Sequence, residues 1–119
     1  LGPGVVESAG VETDLTLGFH DCIGFRRGLC RPFKLFDLAS WQVSNVIERP
    51  LIAMDSSVVE SDYSSVTEMH ETYLEAFSSP AKWCREVGGE FVLLWHNSFL
   101  KTPGHRRLYE AVLEFAVGN

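Results

Sequence analysis

The sequence predicts an α/β domain built on parallel strands. Three observations carry that prediction. Two short apolar runs, PLIAMD (residues 50–55) and FVLLW (residues 91–95), have the length and composition of buried strands. Apolar residues at helical spacing lie between them, in Val66, Met69, Tyr73, Leu74 and Phe77. A second helical pattern follows the later run. Strands alternating with helices imply a parallel sheet with right-handed crossovers.

Each element has a local reason. Residues 5–10, VVESAG, read as the end of a helix capped by Gly10. In VETDLTLGF, Val11, Leu15, Leu17 and Phe19 partly alternate with Thr13, Asp14 and Thr16, which predicts a first strand near 13–19. The next segment, HDCIGFRRGLCRPFKLFDL, carries Gly24, Gly28 and Pro32 among aromatics and has no clean period. It is expected to be a long ordered loop pinned by Phe25, Phe33 and Phe36. Residues 40–49 then connect to the strand at 50–55, where Pro50 is tolerated at the first position.

A polar stretch, residues 56–65, precedes a helix expected near 64–78. Ser64 or Ser65 can cap it, and Glu68 stands three residues after Ser65. Glu71 and Glu75 fall on its polar side. Pro80 interrupts the pattern, so a second helix is expected near 80–87, ending at Gly88-Gly89. A third strand near 90–95 follows. Thr102-Pro103 is a cap with proline at the first helical position, opening a helix near 103–117 with Leu108, Ala111, Val112 and Phe115 inward.

Composition narrows the function classes. The chain has 119 residues, 45% of them hydrophobic and 22% charged, with a net charge of −6. That is one ordinary domain. The acidic balance argues against a nucleic-acid partner, because no basic field collects phosphates. Arg26, Arg27 and Arg31 form one local cluster and Arg106 and Arg107 another, which ion pairs or anion contacts explain. No apolar run reaches the roughly 20 residues of a membrane helix. The N-terminus lacks both an initiator Met and the layout of a signal peptide. The chain is therefore expected to start within a gene, after processing, or at an artificial boundary.

The three cysteines, Cys22, Cys30 and Cys84, contain no C-x-x-C pair and so no zinc signature. Cys22 and Cys30 are placed to pair across the loop, or the thiols stay free and buried. His20, His70 and His105 form no metal constellation, and the sequence offers no metal ligand set.

Ligand sites in parallel α/β proteins gather at the carboxyl ends of strands. The strand near 50–55 ends in Asp55, and the one near 90–95 ends in Trp95-His96-Asn97. The loop at 24–33 supplies Arg26. Carboxylate, imidazole and guanidinium make an acid/base inventory. His96 is a proton donor by type. Arg26 is a clamp for a carboxylate or an ion pair with Asp14, Asp21 or Asp37. Asp55 accepts from a substrate hydroxyl, partners Arg26, or caps the Ser56-Ser57 turn.

Four segments in order resemble the polysaccharide deacetylase family, and most closely its divergent bacterial branch. They are DLTLGF, GFRRGLCRPF, PLIAMD and VGGEFVLLWHNS. The resemblance runs from about Ala9 to Phe115. It implies a partial, distorted (β/α) barrel and metal-dependent hydrolysis of N-acetyl groups on a polysaccharide or amino sugar. It gives His96 of Leu94-Trp95-His96 the role of general acid. Arg26 would orient a catalytic aspartate, and Trp95 and Asn97 would flank the substrate's acetyl group. The family's base and its divalent metal ligands come from an Asp-Asp motif and an H-x-x-x-H motif, and neither is in this sequence. Residues 1–119 are thus expected to be the C-terminal half of such a domain, inactive without the N-terminal half. The rival expectation is a non-catalytic module that binds sugar or protein.

Overall fold

The computed structural model describes residues 2–59 and 68–118, with the side chains of Glu68 and Met69 outside that description. Among the described residues the chain is mixed α/β, with three helices and two small sheets. Helix α1 is Pro3–Ser8. Strands β1 (Thr13–Asp14), β2 (Phe33–Asp37) and β3 (Gln42–Glu48) form one sheet in the order β1-β3-β2. Strands β4 (Leu51–Met54) and β5 (Val92–Leu94) form the other. Helix α2 (Glu68–Glu86) lies between β4 and β5 in the chain, and α3 (Pro103–Ala116) follows β5.

The second sheet is the predicted strand–helix–strand unit. β4 and β5 run parallel, with Ala53 opposite Leu93 and Met54 opposite Leu94. Leu51, Ile52 and Ala53 are buried, as the apolar run requires. Residues 91–95 are less buried than expected, and Leu94 is exposed. The core joins Ala53 and Val59 to Tyr73 and Phe77 of α2 and to Leu108 and Val112 of α3. Burying Phe77 and Leu108 completely removes two large apolar side chains from water, at about 2 kcal/mol each.

The two helices expected near 64–78 and 80–87 are one. Pro80 sits inside α2. It has no N–H for the Ala76 carbonyl, a cost of about 3 kcal/mol in a helix interior. The buried stripe Tyr73, Phe77, Ala81 and Cys84 runs straight through that position and offsets the loss. The predicted caps Ser64 and Ser65, and Val66, lie outside the described residues. The cap of α3 is as read: Thr102 Oγ1 accepts the His105 N–H at 3.0 Å, and Pro103 is the first helical residue.

The first sheet departs from the prediction most. The segment expected to be loop and connection, residues 20–49, contains the antiparallel hairpin β2–β3, so the strands are not all parallel. Its turn is held by Asp37. Oδ2 accepts the Ser40 hydroxyl at 2.7 Å and Oδ1 the Ala39 N–H at 3.2 Å, while Trp41 takes φ 57°. These bonds also hold the Asp37 carboxyl below its ordinary pKa.

The strand expected near 13–19 is limited to Thr13–Asp14, and it pairs parallel with β3 rather than with β4. The chain then crosses to β4, where the Leu17 carbonyl accepts the Leu51 N–H and the Gly24 N–H reaches the Ile52 carbonyl, both at 3.0 Å. Gly18 makes the crossing possible, since a Cβ there would stand 2.7 Å from the Leu51 carbonyl oxygen. The radius of gyration is 16.2 Å, above the 13–14 Å or so of a compact domain this long. Each sheet with its helices makes one lobe, and the chain runs between the lobes through residues 15–32 as well as at Arg49-Pro50.

Candidate functional site: a buried carboxylate under an exposed histidine

The carboxyl ends of β4 and β5 lie side by side because the strands are parallel and neighbouring. Met54 and Leu94 are register partners, so the next residues that carry chemistry, Asp55 and His96, meet. Asp55 is fully buried at the start of a 3-10 turn over Asp55–Ser57. Its Oδ1 stands 2.6 Å from His96 Nδ1 and also accepts the Ser56 N–H at 2.6 Å. Its Oδ2 accepts the His96 backbone N–H at 2.5 Å. One carboxylate therefore fixes both the backbone and the ring of His96.

The imidazole itself is open to solvent, its side chain 43% exposed above a carboxylate that is 0% exposed. A carboxylate only accepts, so Nδ1 carries the proton in this pair. Nε2 is the ring nitrogen that Asp55 does not engage. The Phe99 ring, 6.3 Å from the imidazole centroid, walls one side. An imidazole oriented at Nδ1 by a buried carboxylate is the arrangement that stabilises an imidazolium during proton transfer.

The other predicted residues divide. Trp95 turns the opposite way from His96, as alternation demands. Its ring packs on Phe77 and Tyr109 at 5.4 and 5.1 Å, and its Nε1–H donates to the Phe99 carbonyl at 2.9 Å. It braces the strand end and the turn Asn97–Leu100. Asn97 is exposed beside His96. Arg26 is not brought to the pair. Its guanidinium donates to the Gly18 carbonyl at 3.1 Å, close to Leu51 at the opposite end of β4. Four residues of strand put that point about 13 Å from Asp55. Arg26 therefore braces its own loop, and Asp55 has His96 rather than Arg26 as its partner.

Sequence reasoning placed Asp55 and His96 on one edge without pairing them. The pairing was available from strand adjacency and parallel register. Phe99 was missed, because an aromatic five residues past the end of a strand carries no motif.

Two other features bear on the site. Among the described residues no three His, Cys, Asp or Glu side chains converge on one point. Asp55 and His96 Nδ1 occupy each other. The described residues do not make a ligand set for a divalent metal. A cavity of about 690 Å³ lies in the other lobe against Asp14, Leu17, Arg27, Phe33 and Leu38, and His96 is not among its lining residues. No helix of the described residues is long and apolar enough to cross a membrane.

No family profile matches the chain, and neither a curated protein nor a solved structure does.

Proposed function

We propose that this chain supplies the proton-donating half of a hydrolytic site, of the carbohydrate N-deacetylase kind that its WHN and GFR segments resemble. The observation that supports the reading is the Asp55–His96 pair at the carboxyl ends of two parallel strands. In amide hydrolysis the C–N bond breaks only when the nitrogen leaves as a neutral amine. His96 Nε2–H gives its proton to that nitrogen, and Asp55 holds the ring and the Nδ1–H throughout. Asn97, exposed at the same strand end, contacts the acetyl-bearing sugar, and Trp95 keeps the strand end rigid beneath it. In this reading Asp55 positions His96 and does not touch substrate.

The reading requires a base for the attacking water from residues other than these, and a partial (β/α) barrel is the architecture it presumes. The β4–α2–β5–α3 order fits a barrel segment. The outer edge of β5 has no strand partner among the described residues, which leaves room for a further strand. The test is acetate release from N-acetylglucosamine oligomers by the full-length protein, compared with His96→Ala and Asp55→Asn. Loss of about 10²- to 10⁴-fold in turnover is expected for His96→Ala, the usual weight of a general acid. Unchanged turnover sinks the assignment. Sugar retained by the protein without acetate release identifies a binding module instead.

A further inference from the structure

Two of the three cysteines are brought together at a place that the hydrolytic reading does not use. Cys30 and Cys84 are 4% and 1% exposed and share a small core cluster with Ile52, against Phe25 and Phe91. Their thiols lie within interaction range of each other in that cluster. The backbone around them is fixed by the turn that follows α2. The Gly89 N–H donates to the Cys84 carbonyl, and the Glu90 N–H donates to the Cys30 carbonyl, both at 2.7 Å. A side chain at Gly89 would fill the space of the Cys30 sulfur, since a Cβ there would stand 2.3 Å from Sγ. Arg31 holds the same turn through the Val87 carbonyl. Cys22 is exposed and has no part in this cluster.

We propose that Cys30 and Cys84 are a dithiol pair that closes to a disulfide under oxidising conditions, clamping the 24–33 loop to the last turn of α2. The cross-link encloses β2, β3 and β4 within one covalent loop and ties the first lobe's connection to the helix that precedes β5. The oxidant is a low-molecular-weight disulfide of the glutathione class. The Cys30 thiolate attacks one of its sulfurs, that S–S bond breaks, and one small thiol leaves. The Cys84 thiolate then attacks the Cys30 sulfur in the mixed disulfide and expels the second small thiol. Two protein thiols are oxidised by two electrons, and one external disulfide is reduced to two thiols.

Burial, and secondarily the neighbouring Cys30 thiol, push the Cys84 thiol up to about 12. The Cys84 thiolate is therefore scarce in the folded state, and closure is fastest while α2 is still undocked.

The test is to refold the chain in buffers of rising oxidised-to-reduced glutathione ratio, alkylate free thiols, and map the peptides by mass. The expected result is a peptide pair linked through Cys30 and Cys84, lighter by two hydrogens, with Cys22 alkylated. Its formation should raise Tm by roughly 10 °C, as expected of a cross-link across a long loop. The rise should persist in Cys22→Ser and vanish in Cys84→Ser. Alkylation of Cys30 and Cys84 at every ratio overturns the proposal, and so does a bridge involving Cys22. Mapping the unsubstituted chain decides the matter even if Cys84→Ser does not fold.

Discussion

Asp55 and Glu48 are both carboxylic acids with no solvent exposure, one after β4 and the other at the end of β3, yet they are buried in opposite ways. Asp55 has both oxygens engaged, by the His96 ring, the His96 N–H and the Ser56 N–H. Glu48 has one. Its Oε1 accepts the Leu17 N–H at 3.0 Å, and its Oε2 is buried without a partner. Burial pushes the Glu48 carboxyl above its ordinary pKa, only partly opposed by the Leu17 N–H, with Asp14 adding to the rise and Arg27 countering it. A buried charge is tolerated where donors surround it, and otherwise the group favours its neutral form. The difference separates a carboxyl group whose two oxygens are both engaged from an acid that folding would rather keep protonated.

The largest effect expected from this contrast is at Asp55. Asp55→Ala leaves two backbone N–H groups and an imidazole N–H without their acceptor. It should lower unfolding free energy by about 3 kcal/mol or more, read from urea unfolding. A loss below about 1 kcal/mol would place Asp55 in the same class as Glu48.

The pH dependence comes next. Glu48 binds its proton more tightly folded than unfolded, so the unfolded state releases it first. The Glu48 contribution to stability is therefore fully present below the ordinary value of 4.5 and is lost as pH rises through the raised folded value. Glu48→Gln should flatten that part of the profile while keeping an acceptor for Leu17. An unchanged profile would show that Glu48 is charged and solvated.

Thr102→Ala removes an acceptor at a less buried place, the cap of α3, and should cost about 1 kcal/mol. That value lies between the two acids and calibrates them. The smallest effect is expected for Glu48→Gln at pH 4, within about 0.5 kcal/mol of the unsubstituted chain, because both side chains are then neutral.

The same contrast explains what was legible in the sequence. The Asp55 lobe obeys ordinary patterning. An apolar strand, a helical stripe and Thr102-Pro103 each point to the element that forms. His96 and Asp55 were identifiable because they end apolar runs. The Glu48 lobe inverts the pattern. On β3 the buried residues are Ser44, Val46 and Glu48, while Val43 is exposed, so polarity alternation hides the strand. The turn between β2 and β3 lacks an Asn-Gly or Asp-Gly pair and is held instead by Asp37 side-chain bonds. Phe33-Lys34-Leu35-Phe36-Asp37 does alternate in burial, and it was the one readable trace of the hairpin. Pro80 misled in the other direction, because packing on both sides of it outweighs the missing bond. The Arg26 contact with the Gly18 carbonyl was not readable, because a loop motif does not say which backbone group its arginine reaches.

The junction at Arg49-Pro50 also sets an order of events in time. On one side of it, β2 and β3 are neighbours in sequence and close over a short turn, an event of microseconds. On the other, Asp55 and His96 stand 41 positions apart and meet only after α2 has formed and β5 has found β4. Long-range closure of that kind is the slow step in folding. The dyad is thus among the last contacts to form, and amide hydrogen exchange during refolding should show His96 protected after the hairpin.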